Sequence, residues 1–133
     1  MKANLKYNFG QGPVPAARHK NPGGSEGGWV AATARVEAGA YIGRLARVFG
    51  AAQVCGNAHV SGAARVYGSA RVFGAARVYG NARVYECAYV SGCARVYGNA
   101  RVYGNAHVSG AARVSGDAWV FDDARVSRPE VKT

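Results

Sequence analysis

An aliphatic residue recurs at every sixth position through most of the chain. From Val30 to Val126, each of the seventeen positions in this series is valine or isoleucine, with no insertion or deletion. Alanine stands two residues before the aliphatic residue at sixteen consecutive sites, from Ala34 to Ala124. Glycine stands two residues after it at eleven of the seventeen sites. Residues 29–127 are therefore built from one six-residue unit, A-x-V-x-G-x.

Each six-residue unit predicts a short β-strand followed by a corner. Residues two apart project from the same side of a strand, so alanine and valine face inward together. The residues on either side of valine then face outward. Glycine, followed at several sites by asparagine, tolerates the positive φ that a tight corner needs. A period of six leaves no continuous apolar stripe on a helix of 3.6 residues per turn, so the pattern excludes a helix.

The outward side chains repeat every eighteen residues, which predicts three strands in each coil. The position after valine carries, at that interval, Phe49, Tyr67, Tyr85, Tyr103 and Phe121. The position before valine carries Arg47, Arg65, Arg83, Arg101 and then Trp119. Successive strands joined by corners wind into a solenoid in which each coil pairs in parallel with the next. The sequence therefore predicts an all-β parallel β-helix, a triangular prism of between five and six coils.

The unit A-x-V-x-G-N resembles the hexapeptide repeat of the left-handed parallel β-helix superfamily. The resemblance covers residues 29–127 and implies a left-handed coil, which the periodicity alone does not give. The segment GSEGGWV (24–30), which leads into the ARVYGNARVYG repeats, is similar to small bacterial and phage proteins, some of them labelled acyltransferases. The chain departs from the superfamily pattern in its frequent aromatic residue after valine.

The segments that flank the repeat predict a cap and a tail. Leu5, Tyr7 and Phe9 alternate with polar residues, as in an edge strand, and residues 10–28 are rich in Gly and Pro, as in a wrapping loop. The terminal coil of a solenoid exposes apolar side chains and unpaired backbone, so we expect residues 1–28 to cap the prism. Residues 128–133 predict a short tail, with pairing ended by Pro129.

The strong positive charge widens the set of expected partners. The chain carries 17 Lys and Arg against 7 Asp and Glu, a formal net charge of +10. Such a charge attracts nucleic acid, acidic polysaccharide or anionic lipid without choosing among them. The cluster Arg18-His19-Lys20 is either an anion site or an exposed part of the loop.

The remaining sequence features indicate a cytoplasmic protein without membrane insertion. No apolar run approaches the roughly 20 residues of a membrane span, and the first residues do not resemble a signal peptide. Cys55, Cys87 and Cys93 lack the spacing of metal ligands, and we expect them to be free thiols in a reducing compartment.

The resemblance implies one enzymatic alternative, because enzymes of that superfamily are mostly trimeric acyltransferases that use acyl-CoA and a histidine base. The candidate histidines are His19, His59 and His107. The last two occupy outward positions in different columns, about 13 Å apart along the prism axis. That separation excludes a shared zinc site in one chain. We find no positioned partner for a general base, so we expect no cofactor and no metal.

The two outward columns form the candidate interface. Four guanidinium groups spaced by about 4.8 Å repel one another unless an anion, an aromatic face or a partner compensates them. Five stacked aromatic side chains exceed the apolar patch that a monomer normally leaves exposed. We predict a non-enzymatic scaffold that self-associates as a dimer or trimer through Arg47, Arg65, Arg83, Arg101, Phe49, Tyr67, Tyr85, Tyr103, Trp119 and Phe121. A polyanion-binding module, an acyltransferase, end-to-end stacking and a purely structural role of the columns stay open.

Overall fold

The computed structural model describes residues 6–8, 10, 12–127 and the backbone of Val131–Lys132. In this part of the chain three strands precede the repeat: β1 (Lys6–Asn8), β2 (Pro13–Lys20) and β3 (Glu26–Ala31). Short strands follow at six-residue intervals: β4 (Arg35–Val36), β5 (Tyr41–Ile42), β6 (Arg47–Val48), β7 (Gln53–Val54), β8 (His59–Val60), β9 (Arg65–Val66), β10 (Arg71–Val72), β11 (Arg77–Val78), β12 (Arg83–Val84), β13 (Tyr89–Val90), β14 (Arg95–Val96), β15 (Arg101–Val102), β16 (His107–Val108), β17 (Arg113–Ser115), β18 (Trp119–Val120), β19 (Arg125–Val126) and β20 (Val131–Lys132). Within the described residues no helix has the length and apolarity to cross a membrane.

The strands form three sheets, one on each side of a triangular prism. We call them face I (order β1-β2-β3-β6-β9-β12-β15-β18), face II (β4-β7-β10-β13-β16-β19) and face III (β5-β8-β11-β14-β17-β20). Successive repeat strands lie in different sheets, and each pairs in parallel with the strand one coil away, as Arg47 does with Arg65. The predicted parallel β-helix with three strands per coil is therefore confirmed. Its left hand stays a prediction.

The core is a thin stack of alanine and valine. Ile42 and every repeat valine from Val48 to Val114 are fully buried, and the alanines two positions earlier point into the same interior. Val30, Val36 and Val126 at the two ends are only partly buried. A terminal coil has a neighbouring coil on one side only, which accounts for the difference. The inward set predicted from the six-residue period is confirmed.

The corners depend on glycine for two separate reasons. Gly92 has a φ of +64°, a backbone conformation that costs residues with a Cβ about 1–2 kcal/mol. A Cβ added to Gly92 would also lie 2.9 Å from the backbone nitrogen of Gly110 in the next coil. Glu86 and Asp122 occupy the same left-handed region, with φ of 58° and 56°. Coil spacing and backbone conformation together therefore select glycine at most corners.

The segment before the first coil is a β-hairpin, so the prediction of a wrapping loop for residues 10–28 was wrong over most of its length. β2 pairs antiparallel with β3, for example through Ala17 and Val30, and β1 pairs with the outer edge of β2. The open edge of the first coil recruits these residues as partners in spite of their Gly and Pro content. Tyr7 lies in β1, as the predicted edge strand requires, whereas Leu5 and Phe9 lie outside the described residues.

Two side chains from this hairpin form hydrogen bonds with unpaired backbone groups at the first edge of face III. The side-chain amide of Asn21 accepts the N–H of Ile42 at 2.8 Å and donates to its carbonyl at 3.1 Å. Nε2 of His19 lies 2.8 Å from the carbonyl oxygen of Ala40, to which it donates. Asn21 is only 3 % exposed, and its amide takes the place of a peptide group from a preceding strand. His19 is therefore bound to the backbone of the first coil.

The other end of the chain corrects a second prediction. β20 continues face III beyond Pro129 by pairing with β17, so the prediction that pairing ends at this proline was wrong. The partners are Val114 with Val131 and Ser115 with Lys132. The spacing of these partners is one residue shorter than the eighteen of the earlier coils, while Pro129 itself lies outside the described residues. The free edge of β17 offers backbone groups to any following segment that can adopt an extended conformation.

Candidate binding face

The predicted arginine column lies on face I with its members in register. Strand pairing places Arg65 between Arg47 and Arg83, and Arg83 next to Arg101. Trp119 follows Arg101 as the next residue of the column. All four arginines are half-buried, as is usual for a long side chain whose stem covers apolar surface while its charged end reaches water. Like charges placed directly opposite each other in a sheet destabilise it.

The aromatic column beside it is a continuous ladder of stacked rings. Neighbouring ring centroids are 4.7 Å apart for Phe49–Tyr67, 5.0 Å for Tyr67–Tyr85, 4.9 Å for Tyr85–Tyr103 and 5.4 Å for Tyr103–Phe121. The planes of each pair lie within 12° of parallel. Each inner ring therefore uses both of its faces on its neighbours and offers its edge to solvent. We call this column the aromatic ladder.

The two ends of the arginine column rest on aromatic rings. The guanidinium carbon of Arg47 lies 5.5 Å from the ring centroid of Tyr7, and that of Arg101 lies 5.4 Å from Trp119. Cation–π contacts of this kind are worth about 0.5–1 kcal/mol at exposed sites. Among the described residues, Arg65 and Arg83 make no such contact and no ion pair. The middle of the column therefore carries two uncompensated charges.

Three carboxylates of the prism are bound to backbone and amide groups instead of arginines. The contacts are Glu37 Oε1 with the Gly56 N–H at 2.9 Å, Glu86 Oε1 with the Gly104 N–H at 2.9 Å, and Asp117 Oδ1 with Asn99 Nδ2 at 3.4 Å. Within the described part of the chain no arginine lies within salt-bridge distance of a carboxylate. The positive charge of face I is consequently directed to solvent.

The aromatic ladder changes the chemistry of its central tyrosine. Burial raises the pKa of Tyr85 above its ordinary value, and the neighbouring Tyr67 and Tyr103 raise it further. A tyrosine with a higher pKa in the folded state than in the unfolded state resists ionisation. Its contribution to stability is complete below pH 10 and is lost as the pH rises through its folded pKa.

We therefore expect the thermal stability of the protein to fall as the pH rises above 10, and to fall less in Tyr85→Phe. Melting temperatures between pH 8 and 11.5, followed by circular dichroism, measure this difference. Tyr41→Phe, which changes a tyrosine on face III outside the ladder, is the control. Parallel declines in Tyr85→Phe and the unaltered protein would contradict the assignment.

The histidines considered for acyl transfer lie on different faces. His59 is in β8 of face III and His107 in β16 of face II. Each donates from Nδ1 to a backbone carbonyl two residues earlier at 3.0 Å. Their rings stack on Tyr41 at 5.5 Å and on Tyr89 at 4.8 Å. The prism therefore holds both histidines as members of ring stacks and does not bring them together.

The cysteines are free thiols, and the described residues contain no cluster of three or more metal-ligating side chains. Burial raises the pKa of the Cys55 thiol, and the charge of Glu37 raises it further, against the opposing charges of Arg35 and Arg71. A raised pKa keeps this thiol protonated at neutral pH, so it is a weak nucleophile.

All ten residues predicted for the interface lie on face I. Sequence reasoning missed the contribution of the hairpin, which adds Tyr7, Arg18 and Trp29 to the same sheet. The ring of Tyr7 stacks on that of Trp29 at 4.9 Å, and the guanidinium of Arg18 lies 5.2 Å from the Trp29 ring. Trp29 stands one coil before Arg47 in the repeat, so the eighteen-residue interval was the signal that could have found it.

Comparison with known proteins supports the fold and does not identify an activity. The family model described as the YdcK beta solenoid repeat matches three segments of the chain, residues 52–68, 76–92 and 94–110. Among curated proteins and among solved structures, no match to this chain was found. The three matched segments lie in the middle coils of the prism. The match and the stacked parallel coils together show that the chain is a β-solenoid repeat protein.

Proposed function

We propose that the protein is a non-enzymatic binding scaffold whose face I binds a linear polyanion. The observation that carries this proposal is the pair Arg65 and Arg83, which stand in register at the centre of the face. In the described part of the chain neither has a carboxylate or an aromatic face as partner. An anion with repeated charges relieves the repulsion along the column while it gains several charge-assisted hydrogen bonds.

The distribution of charge favours an anionic partner over a second copy of the same face. Two copies that meet through face I bring two arginine columns together, and the carboxylates of Glu37, Glu86 and Asp117 are already bound to other groups. A polyanion supplies the missing charges directly. It also follows the straight, regularly spaced column without a change in the shape of the prism.

The stacking of the aromatic ladder favours recognition through charged groups over recognition through bases. Nucleic-acid binding by stacking needs open aromatic faces. The inner rings of the ladder are within 5.4 Å of neighbours on both sides and present only edges. We infer that an acidic polysaccharide, whose sulfate or carboxylate groups recur along the chain, suits this face better than single-stranded DNA.

Self-association through the same face is the second candidate, and a different observation favours it. Trp119 and Phe121 are 55 % and 43 % exposed and lie on β18 and directly after it, at one end of face I. Large apolar side chains placed together at a surface favour a protein contact. A dimer or trimer that covers this end would leave Arg65 and Arg83 at the edge of the contact.

We also propose that this protein is related to the hexapeptide-repeat superfamily through the structure of its coils. The support is the uninterrupted six-residue unit and the three strands in each coil. We do not extend the kinship to acyl transfer, because His59 and His107 belong to different faces and to separate ring stacks.

A pair of double variants tests the polyanion proposal. We expect Arg65→Gln/Arg83→Gln to weaken binding of a fluorescent sulfated polysaccharide by roughly tenfold, since two central charge contacts are lost. The matched control is Arg77→Gln/Arg95→Gln, which removes two arginines that are also in register, but on face III. Fluorescence anisotropy at fixed salt gives both affinities. Equal losses in the two variants would show that net charge alone drives binding and would overturn the proposal.

Light scattering of the unliganded protein separates the two candidates. A monomer that binds sulfated polysaccharide more tightly than single-stranded DNA agrees with the first candidate. A stable oligomer whose mass is insensitive to salt, and which dissociates in Trp119→Ser/Phe121→Ser, would replace it with the second. Dextran, which is uncharged, controls for binding to the sugar backbone.

A further inference from the structure

A groove opens beside face I where the N-terminal hairpin overhangs the first coils. It has a volume of about 680 Å³, within the range of roughly 300–1,000 Å³ typical of small-molecule sites. Val14 and Pro15 of β2 form one wall, and Phe49 and Tyr67 of the aromatic ladder form another. The lining also includes Arg65 and two corner glycines, Gly50 and Gly68.

The corner N–H groups of this prism are carboxylate sites that the chain itself uses. At one corner of the same column, Glu86 binds the N–H of Gly104, which lies one coil later, at 2.9 Å. At a different corner Glu37 binds the N–H of Gly56, also at 2.9 Å. Glu86 stands eighteen residues before its glycine and Glu37 nineteen, so carboxylates from two different positions reach a corner N–H, which is therefore accessible to an anion.

Both corners of the groove lack such a carboxylate, and Gly68 is the one that lies one coil beyond a glycine. Gly50 precedes Gly68 by one coil, in the same way as Glu86 precedes Gly104. Because Gly50 has no side chain, it cannot supply the acceptor. In the described part of the chain the N–H of Gly68 has no hydrogen-bond partner, and its φ of +68° matches that of Gly104. The acceptor must therefore come from solvent or from a ligand.

We propose that the groove binds a small carboxylic acid with an apolar body. Its carboxylate accepts the Gly68 N–H and a charge-assisted hydrogen bond from Arg65, and its apolar body lies between the hairpin and the aromatic ladder. A backbone N–H and a guanidinium that converge on one oxyanion form a strong, directional site. This site goes beyond the proposed polyanion function, although the two share Arg65.

Titration with 3-phenylpropionate, followed by amide NMR, tests the site directly. We expect the Gly68 amide proton to move downfield as a carboxylate binds, while the amides of Gly56 and Gly104 stay in place because each already has a carboxylate. The neutral analogue 3-phenylpropionamide should bind at least tenfold more weakly. Absence of a Gly68 shift, or equal binding of the amide analogue, would overturn the proposal. Hexanoate shows whether an alkyl body serves as well as an aryl one, and a Gly68 shift with either acid supports the site.

Two variants extend the test. Gly50→Glu introduces at the groove the side chain that Glu86 provides two coils later, at the cost in stability of a Cβ at a φ of +68° and 2.9 Å from the Gly68 nitrogen. In the folded variant, whose content circular dichroism measures, it should fill the site and reduce 3-phenylpropionate binding at least tenfold. Gly74→Glu is the matched control, since Gly74 has a φ of +70° and faces Gly92 at another corner. Arg65→Gln should weaken binding about tenfold, with Arg113→Gln on face III as its control. Equal losses in variants and controls would contradict the site.

The two proposals can fail independently. Gly50→Glu engages Arg65 but leaves Arg83 and Arg101 unchanged, so we expect the affinity for sulfated polysaccharide to fall only about threefold, as for the loss of one of the two central charge contacts. Binding of the polysaccharide without a Gly68 shift by 3-phenylpropionate would overturn the groove site alone. A Gly68 shift in a protein that does not bind the polysaccharide would overturn the polyanion proposal alone.

Discussion

Val96→Asp is expected to unfold the protein at neutral pH. Val96 is fully buried in β14, and aspartate is no larger than valine, so the effect comes mainly from the charge and not from overpacking. A fully buried carboxyl has its pKa raised by up to 3–5 units, so at pH 7 ionisation favours the unfolded state by about 4 kcal/mol, and burial of the unpaired carboxyl adds about 1–3 kcal/mol. That cost is comparable with the whole stability of about 5–15 kcal/mol that a small domain possesses.

The pH dependence and a neighbouring residue provide the controls. The carboxyl of the unfolded variant ionises at lower pH than that of the folded variant, so the loss of stability is largest at neutral pH and shrinks as the pH falls towards 4. Arg95→Asp changes the adjacent outward residue, whose neighbours in register are Arg77 and Arg113, and should leave stability unchanged or raise it. Circular dichroism and urea unfolding measure both. A folded Val96→Asp at pH 7 would contradict the inward assignment of the repeat valines.

Gly92→Ala has the second-largest expected effect. Alanine at a φ of +64° costs about 1–2 kcal/mol, and its Cβ would lie 2.9 Å from a backbone nitrogen of the next coil. Relief of that contact separates two coils locally, at a further cost of about 1–3 kcal/mol. We therefore expect a loss of about 2–5 kcal/mol in the free energy of unfolding, measured by urea titration.

Gly110→Ala separates the two contributions. Gly110 stands in the same corner column one coil later, with a φ of +62°, but its nearest contact for a Cβ is the carbonyl oxygen of Ser127 at 3.4 Å. Only the conformational cost of about 1–2 kcal/mol should remain there. Equal losses at the two positions would show that coil spacing does not restrict the corners.

The sequence predicted the prism well because each coil repeats the same physical requirement. Each inward valine needs two further strands to close a core around it. The eighteen-residue recurrence of outward arginine and tyrosine shows that each coil contains three strands. Each predicted pairing, such as Arg83 with Arg101, is a consequence of that interval. The periodicity could not give the hand of the coil, because both hands have the same register.

The ends of the chain were predicted poorly because they lack the repeat. The Gly- and Pro-rich composition of residues 10–28 indicated a loop, yet β2 forms within it because the edge of β3 offers unpaired backbone groups. Pairing also resumes after Pro129 with a shortened spacing, for the same reason at the edge of β17. Composition reports only the local conformational preference of a segment. At both ends, pairing with an open strand edge overrides that preference.

The sequence predicted which side chains share face I but not how their charges are balanced. The spacing placed on one face the ten residues that we predict for an interface, and the stacking of the aromatic ladder follows from that spacing. Sequence could not show that Glu37 and Glu86 bind corner N–H groups, which leaves the arginines without carboxylates. Nor could it show the groove, since β1 and β2 were not both expected as strands. These two findings shift the emphasis from self-association to anion binding.

The salt dependence of polysaccharide binding tests the central claim most directly. If face I binds a polyanion through its arginine column, the logarithm of the binding constant should fall linearly with the logarithm of salt concentration, through counterion release. Arg65→Gln/Arg83→Gln should reduce the magnitude of that slope by about one to two, because two charge contacts are lost, whereas Arg77→Gln/Arg95→Gln should leave it unchanged. A slope that is the same in both variants, or binding that is insensitive to salt, would contradict the account.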